Sequence, residues 1–410
     1  MFSNLKIGTK IVSVVVLVVL VGISILASVI AYQSSKTLVK EADKLLSTSA
    51  YRYSNIVRGA TASVYSTLFA AESVVDDIIV GGGDVARLEN VLTATMDSNP
   101  WIAYLYVHII DKSLLQSVKP VYLTESGKFL MLFSDTNLAQ KGGVEIMQAE
   151  DRIINQRSVA AAISKQEEGV GRPQNFSINN QEILAYNVVI PMTKNGKLIG
   201  VIGALGSLEA LRGELTDPGR SVFEGDQRLL LGENGLIAVS PALEFIGKGM
   251  KEVNSDPSAD VLLDMQKTHK DGLFDFTPAS TGVENRAFVV NFPLWENSDN
   301  YWSIVTMAPK SSINTPVVAL VTSIIIVSLI VVVAIVLIVS LFVKSSISSR
   351  IQKLQVNLVE FFRFINHETK NVSLSKDTSS NDELGIMAQA INANIEKTKL
   401  GLEQDLKAVT

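Results

Sequence analysis

Val317–Val343 reads VVALVTSIIIVSLIVVVAIVLIVSLFV, 27 residues without a charge, and Ile11–Tyr32 reads IVSVVVLVVLVGISILASVIAY, another 22. A helix rises about 1.5 Å per residue, so either stretch can cross a hydrocarbon core of roughly 30 Å. Neither carries the polar stripe of a helix lying on a soluble core. The first also exceeds the apolar run of roughly 7–15 residues found in a cleaved secretory signal. The reading is two transmembrane helices, 11–32 and 317–343, the first an uncleaved anchor.

The flanks orient them. Lys6 and Lys10 precede the first run with no acid before it; Lys344, Arg350 and Lys353 follow the second. Basic flanks stay in the cytoplasm, so both termini are expected inside and residues 33–316 outside. That outer segment holds 25 Lys and Arg against 33 Asp and Glu, a net of −8. All eleven prolines fall between Pro100 and Pro316. Because proline breaks helix interiors, long helices are predicted at both ends and a turn-rich folded region between them.

Composition narrows the chemistry. The 410 residues carry a formal net charge of −5, which argues against a broadly basic nucleic-acid binder. Zero cysteines exclude disulfides, thiolate metal sites and a cysteine nucleophile. His108, His269 and His367 are the only histidines and lie far apart in sequence, so no His-rich metal site and no cofactor are expected.

Beyond the first span, Val57, Ala60, Val64, Leu68, Ala71, Val75 and Ile78 recur every three or four residues, one apolar helix face that Gly81-Gly82-Gly83 stops. A stalk helix over 33–80 follows, then a second helix over Asp84–Asn99. Strand signals begin at Trp101–Ile110 and continue at Phe129–Phe133, with a helix read over Glu145–Gln166. Ile183–Ile190 and Leu198–Leu205 flank Lys194-Asn195-Gly196-Lys197, the strongest hairpin signal in the chain. After Thr216-Asp217-Pro218-Gly219 a similar order returns. Arg228–Leu231 and Leu236–Val239 flank Gly-Glu-Asn-Gly, a helical stretch covers Val253–Lys267, and strands follow at Gly272–Phe276, Arg286–Phe292 and Trp302–Met307. Two tandem α/β modules are predicted. Past the second span, Ile347, Ile351, Leu354, Leu358, Phe361 and Ile365 keep a 4-3 heptad spacing; Leu384, Met387, Ile391, Ile395 and Leu402 continue it across the polar connector Asn366–Asn381. Neither helix buries its seam alone, which implies a homodimer.

Together these features resemble a bacterial transmembrane chemoreceptor, a methyl-accepting chemotaxis protein. Lys194–Gly203 (KNGKLIGVIG), Gly232–Ile237 (GENGLI) and Glu244–Lys248 (EFIGK) resemble pieces of a double Cache sensor, and Asp382-Glu383-Leu384-Gly385 matches the opening of a second HAMP helix. Ser345–Arg350 stands where first HAMP helices usually carry a proline. The resemblance implies an α+β membrane receptor of the bacterial inner membrane, with PAS-like modules at 81–217 (membrane-distal) and 218–316 (membrane-proximal) outside and a HAMP coiled coil at 344–402 inside. Residues 403–410 would begin a signalling helix. The sequence is expected to be truncated before the signalling hairpin, so kinase and adaptor contacts would be absent from it. The partner would be a small molecule or a ligand-loaded binding protein, signalling through HAMP with Glu383 selecting between bundle states. The sensor half of a histidine kinase or diguanylate cyclase, or a natural receptor without output, is the alternative.

The candidate ligand site follows from the same resemblance. Amino-acid-sensing double Cache domains share Arg-x-x-Trp-Tyr and a later Asp. Here Arg157 precedes Ser158-Val159-Ala160-Ala161, Arg152 is followed by Asn155-Gln156, and Leu205 stands at the Asp position, so an α-amino acid is disfavoured. Arg152 and Arg157 suit a carboxylate. Tyr104, Tyr106 and His108 alternate on one strand face, and Asp135 and Tyr186 complete the expected set. Three motifs are read as bland: His367-Glu368 as a connector rather than a phospho-acceptor, Gly200, Gly203 and Gly206 as close strand packing, and Asp76-Asp77 as a solvated face. Nothing in the sequence argues for an enzyme.

Overall fold

The computed structural model describes residues 6–137, 140–366, 368–369 and 382–409. It divides into two compact units, Thr37–Thr315 and the combination of Met1–Lys36 with Pro316–Thr410.

Helix α1 spans Ile7–Val80. Within the first unit its buried stripe is Ala42, Leu46, Ala50, Tyr53, Val57, Ala60, Val64, Leu68, Ala71, Val75 and Ile78, the three-and-four spacing read from the sequence. Gly82, at φ +117°, and Gly83 end it in backbone conformations that glycine tolerates. Gly83 adopts φ +67°, and a Cβ there would stand 1.8 Å from the Leu114 carbonyl oxygen. Helix α2 (Val85–Asp97) starts immediately after, with the Asp84 carboxylate accepting from Ala86 N at 3.0 Å.

Strands β1 (Ile102–Ile109), β2 (Phe129–Asp135) and β3 (Val144–Met147) lead into short helices α3 (Asp151–Ile154) and α4 (Arg157–Lys165). Strands β4 (Gly169–Val170), β5 (Gln174–Ile178), β6 (Gln181–Lys194) and β7 (Lys197–Ser207) complete an antiparallel sheet of order β3-β2-β1-β7-β6-β4, with β5 also on β6. The β6–β7 turn places Asn195 and Gly196 at φ +51° and +74°, the left-handed pair that a two-residue hairpin requires. After helix α5 (Leu208–Leu215), strands β8 (Gln227–Leu231) and β9 (Ile237–Val239), helices α6 (Met250–Val253) and α7 (Ser258–Lys267), and strands β10 (Gly272–Phe276), β11 (Asn285–Pro293) and β12 (Tyr301–Pro309) form a second sheet, β10-β11-β12-β8-β9. One core lies between α1 and one face of both sheets; each sheet's other face has its own smaller core.

The single helix expected over Glu145–Gln166 is instead β3, α3 and α4. Val144–Met147 hydrogen-bonds as an edge strand to β2, and Gln156 turns extended at φ −62°, ψ 141° between the helices. Asp76 departs from the solvated-face reading: it is 6% exposed, facing the core, while Asp77 stays in solvent.

In the other unit, the first charge-free run lies within α1 and the second, all but Val343, within α8 (Lys310–Phe342), helices long and apolar enough to cross a membrane. A π-helical segment, Val343–Ser348, joins α8 to α9 (Ser349–Ile365); α10 covers Glu383–Val409. Leu354 and Ile395 are buried where α9 meets α10, and Asn357 donates from Nδ2 to Asn392 Oδ1 at 3.3 Å. His367, Val372 and Leu374 lie outside the described residues.

Candidate functional site

The first sheet decides which predicted residues meet. On β1, Tyr104 and Tyr106 face the core shared with Leu130, Leu132, Ile153, Ile154, Val159 and Ala162, the side roofed by α3 and α4. Tyr186 joins the opposite core and packs edge-on against Trp302 at 5.2 Å between ring centres. Asp135 shares strand parity with Phe129, Met131 and Phe133, also on the α1 side; its Oδ1 accepts from Asn137 N at 2.7 Å. The set therefore splits: Tyr104, Tyr106, His108, Arg152 and Arg157 belong to one side of the sheet, Asp135 and Tyr186 to the other. The cause is the two-residue strand period, which puts Tyr186 and its neighbour Asn187 on opposite faces.

Two glycines of β7 make room for the tyrosines. Gly203 pairs with Tyr106, and Gly206 with Tyr186. A Cβ at either position would come within 2.3 Å of the facing ring. Three residues apart on a strand, the two glycines serve opposite faces.

Beneath the roof runs a buried polar chain. Tyr106 Oη donates to Asn187 Oδ1 at 2.9 Å, and Asn187 Nδ2 donates to Ser158 Oγ on α4 at 2.9 Å. Tyr106 and Asn187 are fully buried, and burial pushes the Tyr106 phenol well above its ordinary pKa. His108 is 6% exposed; its Nδ1 lies 2.7 Å from the Phe129 carbonyl, which sets the neutral ring with the proton on Nδ1. Burial lowers the His108 pKa, nearby Lys128 adds to that, and the carbonyl partly opposes it. Tyr104 Oη donates to Gln181 Oε1 at 3.1 Å nearer the rim, its pKa raised by burial and then by Glu150.

Arg152 and Arg157 are exposed on the roof, and Arg152 Nη1 donates to the Ser177 carbonyl at 3.2 Å. Between them, Gln156 holds a buried Nε2 with no acceptor among the described residues. The sequence reading passed over Asn187, Ser158 and Gln156. Asn187 had a legible signal, since a lone amide inside the apolar run Ile183–Ile190 must find partners once buried; Ser158 and Gln156 had none.

Glu383 is exposed at the start of α10. The contact to α9 is made instead by Asp382, whose Oδ2 accepts from Arg350 Nη1 at 2.5 Å while Oδ1 accepts from Gly385 N at 2.8 Å. An N-cap side chain folds back over the helix end, whereas Glu383 on the first turn points outward.

Two open clefts lie elsewhere in the Thr37–Thr315 unit. One of about 450 Å³ includes His269, stacked on Tyr301 at 4.0 Å, with Lys267 and Asp299. The other, about 620 Å³, is lined by Phe69, Glu72, Glu168 and Trp295.

No protein-family model matches the chain, and no curated protein sequence matches it. Solved structures do. The periplasmic sensory domain of the Campylobacter jejuni chemoreceptor Tlp1 aligns at TM-score 0.62 with 23% identity, over 68% of this chain and 99% of that one. A protein named methyl-accepting chemotaxis protein X aligns at 0.53 with 16% identity, over 69% and 99%. The extracellular domain of mmHK1S-Z3, named as a histidine kinase, aligns at 0.50 with 15% identity, over 70% and 99%. The chain thus has the fold of an extracytoplasmic sensory domain used by chemoreceptors and histidine kinases, together with two candidate membrane helices.

Proposed function

We propose that this chain is the sensing and membrane-spanning part of a dimeric chemoreceptor that binds a small carboxylate in its distal module. The modules are 81–217 and 218–316, outside the membrane, and both termini lie in the cytoplasm. The observation that carries the reading is the sensory fold built on a helix, α1, that also contains a charge-free run long enough to span a bilayer. Arg152, Arg157 and the unpartnered Gln156 Nε2 offer only donors on the α3–α4 roof, which suits a carboxylate's acceptor oxygens. Tyr104, Tyr106 and His108 form the floor. Asp135 and Tyr186, on the far face, support the fold rather than touch the ligand. Ligand that binds one packing of the roof better than another shifts the equilibrium between them, and the change passes along the helices to the HAMP-like pair α9–α10. Asp382–Arg350 is the contact there through which Glu383's neighbourhood acts.

Purified 33–316 tests this. A carboxylate at about 100 times its Kd adds roughly 2.7 kcal/mol to native stability, a clear thermal shift. Arg152→Ala/Arg157→Ala should abolish that shift without lowering the unliganded midpoint. An amino acid giving the largest shift, or an unchanged shift in the double variant, would overturn the assignment. The histidine kinase reading is favoured by the mmHK1S-Z3 likeness; it keeps the same sensor and changes only the output.

A further inference from the structure

At the ends of both charge-free runs the structure holds a cavity of about 520 Å³ lined by Lys6, Thr9, Lys344, Ser348, Ser349 and Gln352, with Val12 and Val343 toward the apolar side. Its described lining has two lysines, four hydroxyls (Ser340 is the fourth) and an amide, and no carboxylate. The helices can approach here because Gly8 has no side chain. A Cβ on Gly8 would stand 2.8 Å from Ser348 Oγ and 3.1 Å from Val343 Cγ1. The far wall is the π-helical segment, Val343–Ser348, a rare geometry that is frequent at functional sites.

We propose that this cavity binds the headgroup of an anionic phospholipid from the cytoplasmic leaflet. The inference rests on the reading of 11–32 and 317–343 as membrane spans. Given those spans, Lys6 and Lys344 fall at headgroup depth, where the leaflet is negatively charged. A phosphodiester brings oxygens that accept from the ammonium and hydroxyl groups, while its acyl chains run along Val12 and Val343 into the bilayer. The lipid would then bridge the first helix to the segment that connects the second span to α9.

The experiment is native mass spectrometry of the full chain released from detergent, titrated with phosphatidylglycerol and, separately, with phosphatidylcholine. Phosphatidylglycerol should be retained preferentially. Lys6→Gln/Lys344→Gln should weaken that retention about 30-fold, from about 1 kcal/mol per lysine at an anionic surface. Lys10→Gln, outside the lining, should leave it within about twofold and serves as the folding control. Equal retention of the two lipids, or a double variant that binds like the wild type, overturns the proposal. Competition by inorganic phosphate at millimolar concentration would overturn the lipid as occupant and assign a free anion instead. Carbonate extraction of native membranes keeps the two readings apart. A chain that washes off refutes the spans; one that stays while the lipid preference fails refutes only the headgroup site.

Discussion

Deleting a single oxygen atom at two neighbouring positions separates buried from rim chemistry. Tyr106→Phe removes a hydroxyl whose acceptor, Asn187 Oδ1, sits at 0% exposure and would keep only its amide bond to Ser158. Water cannot replace the lost donor there. A buried acceptor left unsatisfied costs about 1–3 kcal/mol, and about 2 kcal/mol is expected. Tyr104→Phe removes the same atom two residues away on the same face, but its acceptor, Gln181, is exposed and turns to solvent. That change should cost less than about 0.5 kcal/mol. At about 2–4 °C per kcal/mol for a domain of this size, the melting temperature of 33–316 should fall about 4–8 °C for the first variant and under about 2 °C for the second. Differential scanning calorimetry on both, without ligand, reads this directly. Equal shifts, or a Tyr106→Phe variant as stable as wild type, would refute the claim that the Tyr106–Asn187–Ser158 chain is dry and closed.

Two further outcomes follow. Gly203→Ala should destabilise 33–316 by about 1–3 kcal/mol through overpacking against Tyr106, whereas Gly213→Ala, on α5 with open space around its Cα, should stabilise by about 0.4–1 kcal/mol; chemical denaturation decides both signs. His108 should make stability pH-dependent. Its folded pKa is depressed, so below the ordinary value of 6.5 the unfolded chain takes up a proton that the buried ring resists. The stability is therefore present above about pH 6.5 and lost as pH falls, with a slope of at most about 1.4 kcal/mol per pH unit. His108→Gln should flatten that part of the profile between pH 7 and 5, and a wild-type minus variant difference that does not change with pH would disprove it.

Much of the fold was open to inspection because its signals are local. The stripe from Val57 to Ile78 needs only a helix with one wet side, and Asn195-Gly196 needs only a backbone able to hold two positive φ angles. The charge-free runs are longer than any helix of their kind that a soluble core of this size would need. Signals that depended on a neighbour failed. Glu145–Gln166 has helical composition, but Val144–Met147 found an open edge on β2, and pairing there satisfies backbone groups that would otherwise face solvent. Asp76 and Asp77 look alike in sequence; a helix turns about 100° per residue, so the two point in different directions, and Asp76 falls beside the buried stripe at Val75.

The site was harder to read for a reason of parity. Tyr104, Tyr106 and His108 fall on one face because they share one strand and alternate on it. Adding Asp135 and Tyr186 required knowing the register of β2 and β6 against β1, and a one-residue difference moves a side chain through the sheet. The glycines contained that information in latent form. Gly203 and Gly206 are an odd number apart, so they empty space on opposite faces, and each is filled by the aromatic ring paired with it across the strands. Had the register been known, the glycine spacing alone would have assigned Tyr106 to the α3–α4 side and Tyr186 to the α1 side. The ligand hypothesis accordingly narrows to residues on the roofed side, where the donors of Arg152, Gln156 and Arg157 and the closed tyrosine–asparagine–serine chain occupy the same short stretch of helix and strand. A ligand bound there must act by moving α3 and α4, because the floor beneath them is already hydrogen-bonded and packed.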